Sequence, residues 1–134
     1  MLPGSSARWR ICLMLNRLLK LLGEEASIDD DLYQKIFDNM LQRLKDKVVD
    51  IRGQAVTALQ RLQDPRDPDC PIIRAFLFHL ACDPSALVRK MVVKCIGATR
   101  MTLPHILKRT KDVDEGVRKA AFKFIADKVD LLRH

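Results

Sequence analysis

The chain has 134 residues, 48% of them hydrophobic, so it has the length of one domain and can bury a core. Its net charge of +7 and pI near 9.5 favour acidic partners, nucleic acid first, without deciding the fold. The four cysteines include no Cys-x-x-Cys pair and the three histidines are scattered, so we expect no metal site, no disulfide framework and a reducing compartment.

Helix-forming residues fill the long stretches of the chain, and prolines and glycines stand mostly at junctions, which predicts an all-α protein. Residues 1–6 contain Pro3 and Gly4 and are predicted to be disordered, and one helical domain is expected over residues 7–134. A helix over 7–22 comes first, with Gly23 as its C-terminal cap. The elements expected after it are a helix over 29–44, a turn at Asp46 with a B helix to about Leu62, and helices over 72–80, 86–97, 103–109 and 115–132.

A turn aspartate is followed six positions later by an arginine three times along the chain. The pairs are Asp46 with Arg52, Asp83 with Arg89, and Asp112 with Arg118. Apolar residues recur three, four and seven positions after each arginine, and the three sets are Ala55, Val56 and Leu59; Val92, Val93 and Ile96; and Ala121, Phe122 and Ile125. Self-similarity at a few tens of residues is typical of helical solenoids.

The repeat pattern therefore predicts an all-α HEAT-repeat (armadillo-like) solenoid of about three helix pairs, each made of an A helix and a B helix. The pairs are expected over 29–62, 71–97 and 103–132. The stripe expected to be buried on the first A helix includes Leu32, Ile36 and Met40. Placing Arg8 in the arginine position makes residues 7–23 an N-terminal half-repeat, which is a B helix without its own A helix. Trp9 must then be covered by something other than that missing helix.

The repeated aspartate and arginine residues are predicted to form a structural ladder. Arginine is planar and suits both carboxylates and free carbonyl groups, so an arginine early in a B helix can hydrogen-bond along the stack to the turns. A role in phosphate binding or catalysis is the alternative for Asp46, Arg52, Asp83, Arg89, Asp112 and Arg118.

Lysines stand one and five positions after the second and third repeat arginines. These are Lys90 and Lys94, and Lys119 and Lys123. A spacing of four places each pair on one helix face, so the pairs are expected side by side as a DNA-backbone stripe or, in the alternative, as a solvated face. Two further basic clusters near the turns are candidate phosphate contacts: Arg43, Lys45 and Lys47, and Lys108, Arg109 and Lys111.

No enzyme constellation is present in the sequence. There is no glycine-rich phosphate loop and no serine elbow. We also expect no histidine to pair with a cysteine or carboxylate at helical spacing, and hence no catalytic residues, no cofactor and no small-molecule substrate. No apolar run approaches the ~20 residues that a membrane helix needs. Residues 8–22 are basic, acid-free and amphipathic, which leaves an imported mitochondrial protein as one interpretation.

Two strings are more specific than HEAT spacing: Arg61-Leu62-Gln63-Asp64-Pro65 and Arg109-Thr110-Lys111-Asp112-Val113. With Ile28 to Asp31, Leu41 to Lys47, Cys70-Pro71, Thr102 to Pro104 and Val117 to Lys119, they resemble the condensin HEAT-repeat subunit family called CAP-G. The resemblance covers roughly Arg8 to Val129, which is a small part of a full-length family member. It implies a non-enzymatic scaffold that binds kleisin, other condensin subunits and double-stranded DNA without sequence preference, and that helps compact mitotic chromosomes.

The resemblance also implies a place in the nucleus and on chromosomes, with cytoplasm between divisions. An alternative function of another class is a HEAT-repeat adaptor that binds only protein partners, its lysines serving solubility. DNA binding separates the two hypotheses.

Overall fold

The structure, a computed structural model, describes residues 4–22 and 29–133. Within those ranges every regular element is helical and no strand occurs. The α-helices of this part of the chain are α1 (Ser5–Leu22), α2 (Asp30–Arg43), α3 (Val49–Leu59), α4 (Pro71–Cys82), α5 (Ala86–Cys95), α6 (Leu103–Lys108) and α7 (Glu115–Arg133). Short 3₁₀ turns over Gln60–Leu62 and Arg109–Lys111 follow α3 and α6.

The predicted helix bounds agree with these bounds to within a few residues, with one correction at the start. The prediction of disorder over 1–6 is wrong for Ser5 and Ser6, which lie in α1. The carbonyl of Gly4 accepts the amide of Arg8 at 3.0 Å, so Gly4 stands at the N-cap position and the two serines begin the first turn of the helix. Residues 1–3 and Gly23 lie outside the described residues. Pro71 occupies the first turn of α4, as expected of a residue without an amide hydrogen.

Close contacts divide the chain into two compact units, Met1–Leu62 and Gln63–His134, and each is described by itself. In the first unit α3 packs against both α1 and α2. The buried apolar side chains of this unit are Cys12, Leu19, Ile36, Met40, Leu44, Ile51, Ala55, Val56, Ala58 and Leu59. The helix α2 therefore lies in the A position of a helix pair and α3 in the B position, while α1 packs on α3 as a neighbouring B helix.

In the second unit α5 packs against α4 and α7, and α6 packs against α4 and α7. Its buried apolar side chains are Cys70, Ile72, Ile73, Phe76, Leu80, Val88, Val92, Val93, Cys95, Ile96, Ile106, Val117 and Ala121. The residues before the arginines and three positions after them are buried in both complete turns of this unit. The predicted pairing of A with B helices is thus present as α4 with α5 and α6 with α7. Whether residues 7–134 make one domain stays a prediction.

Some residues of the predicted apolar stripes are exposed. Phe122 stands where Val56 and Val93 are fully buried, yet it is 59% exposed, and Leu32 on α2 is 48% exposed. On α1, Ile11 and Trp9 are 40% and 39% exposed. Helical periodicity defines a face, but burial of that face needs a second helix against it, and more than a third of each of these side chains is open to solvent. The prediction of burial is therefore wrong at Leu32, Ile11 and Phe122.

The segment that follows the first unit closes the end of α5. The side-chain amide of Gln63 donates to the carbonyl of Cys95 at 2.7 Å, and its oxygen accepts the amide of Gly97 at 2.9 Å. Gly97 lies so close to Pro65 that a Cβ at position 97 would overlap the proline ring. A glycine is therefore required there by close approach.

Gly97→Ala is expected to lower the free energy of unfolding by about 1–3 kcal/mol, because the added methyl group must displace the rigid Pro65 ring. The matched control is Gly53→Ala in α3, where a Cβ would have no atom within 4 Å. That control should be neutral or stabilising by up to about 1 kcal/mol, since alanine is the better helix former. Urea denaturation of both variants measures the difference, and equal effects of the two substitutions would contradict the close approach.

Candidate functional site

Each of the three turn aspartates caps the helix that follows it. The Oδ1 atoms of Asp46, Asp83 and Asp112 accept the backbone amides two positions later, on Val48, Ser85 and Asp114, at 2.9 Å in all three turns. The N-cap residues of α3 and α5, Val48 and Ser85, make no capping bond with their own side chains. The aspartate therefore satisfies an amide at the start of a B helix, which the sequence analysis did not predict.

The repeat arginines tie each B helix to its own turn through the main chain. Nη1 of Arg52 donates to the carbonyl of Asp46 at 3.0 Å, that of Arg89 to Asp83 at 2.8 Å, and that of Arg118 to Asp112 at 2.8 Å. Arg52 and Arg89 are buried. Within one copy the arginine thus contacts the carbonyl group of the aspartate.

The carboxylates are bound by arginines of the preceding copy. In the first unit Nε of Arg8 donates to Asp46 at 2.6 Å. In the second unit Arg89 donates to both carboxylate oxygens of Asp112, at 3.0 and 3.1 Å, which is the planar two-point geometry that arginine favours. The structure therefore shows ladder contacts from α1 to the α2–α3 turn and from α5 to the α6–α7 turn.

Asp46 and Asp112 each have a second arginine partner, which stands three positions earlier in the chain. Arg43 lies 3.5 Å from Asp46, and Arg109 donates to Asp112 at 3.0 Å. The aspartate side chains are 4% and 2% exposed, so each carboxylate is almost fully enclosed. Asp83 differs, because its Oδ2 lies 2.8 Å from Nδ1 of the buried His79, four positions earlier on α4. The expectation that no histidine pairs with a carboxylate at helical spacing is therefore wrong for His79.

These surroundings lower the pKa of Asp46 and of Asp112. Burial, the largest influence, opposes ionisation, but hydrogen bonds from Arg8 and Val48 and the charges of Arg8 and Arg43 outweigh it at Asp46. At Asp112 burial likewise opposes ionisation. It is outweighed there by hydrogen bonds from Arg89 and from the backbone amide of Asp114 and by the charges of Arg89 and Arg109. Both carboxylates therefore stay charged at neutral pH, as a ladder of ion pairs requires.

The structure places the predicted lysine stripe on α5 and α7, which pack together in the second unit. Lys94 and Lys123 are exposed, whereas Lys90 is half-buried beside Gly116 at the start of α7. Lys119 is exposed and lies 3.1 Å from Glu115 on its own helix. Two of the four ammonium groups therefore have an acidic or packed neighbour, while Lys94 and Lys123 face solvent.

The turn clusters separate into enclosed arginines and exposed lysines. Arg43, Lys45 and Lys47 line one hollow of the first unit. Arg109 and Lys111 line a smaller hollow of the second unit, while Lys108 is exposed on α6 and does not line it. The arginines face the ladder aspartates, so Lys45, Lys47, Lys108 and Lys111 are the members of these clusters that present charge to solvent.

The cysteines do not form a reactive or metal-binding cluster in the described part of the chain. All four are free; Cys12, Cys70 and Cys95 are buried and Cys82 is exposed. Burial raises the pKa of Cys12 to about 11, against the opposing charges of Arg43 and Arg8. Among residues 4–22 and 29–133 no three metal-ligating side chains lie together, and no described helix is long and apolar enough to cross a membrane.

The repeat pattern is shared with known proteins. The HEAT-repeat family matches residues 37–126, which is more than half of the chain. The chain belongs to the HEAT-repeat family. The prediction of an all-α HEAT-repeat fold is confirmed by this match and by the helices described above.

The relatives of this HEAT-repeat chain carry one name, "Condensin complex subunit 3". The human protein is 47% identical over 96% of this chain, the Xenopus laevis protein 49% over 94%, and the Schizosaccharomyces pombe protein 36% over 96%. The chain covers only 13%, 12% and 14% of those relatives. The resemblance to the condensin subunit is confirmed, and it concerns about an eighth of the relatives' length.

A solved structure supports the same assignment. The crystal structure of the S. pombe condensin Cnd3–Cnd2 subcomplex contains a chain that matches 96% of this one with a TM-score of 0.83 and 33% identity. The match covers 16% of that chain. The fold and the sequence thus point to the same condensin subunit.

Asp112→Ala is expected to lower the free energy of unfolding by about 3–5 kcal/mol, because it leaves the guanidinium groups of Arg89 and Arg109 enclosed without their carboxylate. The control is Asp69→Ala, which removes an exposed ion pair with Arg74. That substitution should change stability by less than about 1 kcal/mol. Urea denaturation of the full chain is the measurement, and a loss at Asp112 no larger than at Asp69 would show that the ladder does not stabilise the fold.

The lowered pKa values of Asp46 and Asp112 predict acid sensitivity. A carboxyl whose folded pKa lies below its unfolded value of 3.8 contributes stability that is present above pH 3.8 and is lost as pH falls through the folded value. The stability of the wild type should therefore fall more steeply below about pH 4 than that of Asp112→Asn. Denaturation from pH 7 to pH 3 tests this, and equal slopes in the wild type and in Asp112→Asn would contradict it.

Proposed function

We propose that this chain is a non-enzymatic scaffold segment of the condensin subunit 3 type, which helps compact mitotic chromosomes by binding kleisin and the DNA backbone. The observation that carries the proposal is the similarity to condensin complex subunit 3 over nearly the whole chain, in vertebrates and in fission yeast. Its place is then the nucleus and the chromosomes, with cytoplasm between divisions. A HEAT-repeat surface suits a scaffold because stacked helices present extended binding faces.

The proposal of protein partners rests on the structural neighbour. That neighbour belongs to a subcomplex of two condensin subunits, Cnd3 and Cnd2. By analogy, the segment described here contacts kleisin or another condensin subunit within a larger assembly. The exposed apolar side chains of α1, including Met14 at 69% exposure, are consistent with further protein contacts.

The proposal of DNA binding rests on the lysines of α5 and α7. Lys94 and Lys123 are exposed, and Lys90 and Lys119 lie one helical turn before them on the same helices. Contacts of this kind bind phosphates without reading bases, so no sequence preference follows. The excess of basic over acidic residues, 24 against 17, supports an anionic partner.

The ion pair between Lys119 and Glu115 favours the second candidate function, a HEAT-repeat adaptor that binds proteins only. A lysine already paired on its own helix has less attraction left for a phosphate, and Lys90 is partly covered beside Gly116. Under this interpretation the four lysines serve solubility. The two functions differ in one measurable quantity, the dependence of duplex affinity on salt.

If Lys90, Lys94, Lys119 and Lys123 all contact phosphates, the logarithm of duplex affinity should fall with the logarithm of salt with a slope near −3.6, at about −0.9 per contact. Alanine at all four positions should abolish most of this slope, and Lys94→Ala alone should reduce it by about one unit. Titration of a labelled 20-base-pair duplex at several salt concentrations measures both.

The control for this titration is a four-alanine variant at exposed basic residues elsewhere, Lys20, Lys35, Arg66 and Arg100, which removes the same charge. It should keep more of the wild-type slope than the stripe variant. Both variants should still be captured by kleisin if they are folded. Equal slopes in the wild type and the stripe variant would exclude the stripe from DNA binding and favour the protein-only adaptor.

A further inference from the structure

A basic hollow lies between the start of α1 and the turn that joins α2 to α3. Its volume is about 610 Å³, and its charged lining consists of Arg8, Arg43, Lys45, Asp46 and Lys47. We name it the N-terminal hollow. Small-molecule and side-chain sites in proteins have volumes of roughly 300–1,000 Å³, so a single charged group with its attached chain fits inside it.

The charges around the N-terminal hollow are not balanced. The side chains of Arg8 and Arg43 are only 12% and 11% exposed, and both guanidinium groups face the carboxylate of Asp46. Nε of Arg43 is enclosed without a hydrogen-bond acceptor. A buried guanidinium N–H without an acceptor is costly, and an anion placed beside Arg43 lowers that cost.

The backbone of α1 adds to the same field. Its first helical hydrogen bond runs from the amide of Arg8 to the carbonyl of Gly4, so the amides of the preceding first turn have no partner within the helix. Gly4 and Ser5 line the hollow. The positive end of an 18-residue helix therefore reinforces the charge of the side chains there.

We propose that the N-terminal hollow binds the phosphate of a phosphorylated serine or threonine side chain on a partner protein. A phosphomonoester carries close to two negative charges and three acceptor oxygens, which matches a site with four cations and one carboxylate. The exposed ammonium groups of Lys45 and Lys47 supply the movable contacts at its edge. A duplex phosphodiester carries one charge and lies on a convex backbone, so it matches a concave hollow less well.

A related hollow in the second unit shows what distinguishes this one. There Arg89 and Arg109 face Asp112 as Arg8 and Arg43 face Asp46, and Nε of Arg109 is also enclosed without an acceptor. That hollow is smaller, about 290 Å³, and its lining adds the carboxylate of Asp83. The ladder geometry recurs, but only the N-terminal hollow combines the larger volume with two exposed lysines and a single carboxylate.

The experiment uses the full chain at 150 mM salt and a fluorescein-labelled nine-residue peptide of glycine and alanine with one central phosphoserine. Fluorescence anisotropy should show at least about tenfold tighter binding of this peptide than of the same peptide with serine, because the phosphate adds charge-assisted hydrogen bonds. Lys45→Ala with Lys47→Ala should weaken binding by about tenfold or more for the same reason. Both lysines are exposed, so this variant keeps the Asp46 ladder.

The matched control is Lys119→Ala with Lys123→Ala, which removes the same charge from α7 and should leave peptide affinity within about twofold, since both lysines lie outside the hollow. Equal binding of the two peptides, or equal losses in the two double variants, would overturn the proposal. Displacement of the phosphopeptide by the unlabelled 20-base-pair duplex at lower concentration than by unlabelled phosphopeptide would assign the hollow to DNA instead. The result of this peptide experiment is independent of the DNA titration, because the four-alanine stripe variant leaves Lys45 and Lys47 unchanged.

Discussion

The hydrogen bond from each repeat arginine to the carbonyl of the turn aspartate holds the structure of every copy together. It joins the end of a turn to the first helical turn of the B helix, at 2.8–3.0 Å in all three copies. The aspartate of the same pair caps the helix with its carboxylate. Asp46 and Asp112 thus use their main chain to bind the arginine six positions later, and their side chain to bind an amide and an arginine of the preceding copy. A lysine would not reproduce the arginine contact, because it lacks the planar fork of N–H donors.

This double use explains why so much of the fold was predictable from the sequence. The positions of Asp46, Asp83 and Asp112 relative to Arg52, Arg89 and Arg118 are fixed by a bonding geometry, so the spacing is the same in each copy. The helices follow from that register, and Arg8 in the same register contacts Asp46 as Arg89 contacts Asp112. The string Arg61 to Pro65 also has structural roles within each unit. Arg61 donates to the carbonyl of Leu19 near the end of α1, and Gln63 closes the end of α5.

Burial and charge were less predictable, for physical reasons. Periodicity describes one helix at a time, so it predicted burial for both Phe122 and Val93. Val93 is fully buried, whereas Phe122 is 59% exposed. The basic turn clusters look alike in sequence, but Arg43 and Arg109 stand three positions before the turn aspartates Asp46 and Asp112, and the lysines of the clusters do not. That spacing places each arginine and its aspartate on one face of a helix or turn. It was the signal in the sequence that these two arginines are enclosed. The N-terminal hollow depends on the approach of α1 to a turn far along the chain, which no local pattern contains.

The ladder also bears on how a stack of similar helices keeps its order. The buried faces of α3, α5 and α7 consist largely of alanine, valine, isoleucine and leucine, and aliphatic cores of this kind lose the uniqueness of their packing before they lose stability. A shift would separate Asp46 from Arg8, or Asp112 from Arg89, and an enclosed charge without its partner costs about 3–5 kcal/mol. The net contribution of an intact buried pair to stability is much smaller, because both groups lose their hydration. We therefore interpret the ladder mainly as a device that selects one register of packing, while the apolar faces supply most of the free energy that holds the helices together.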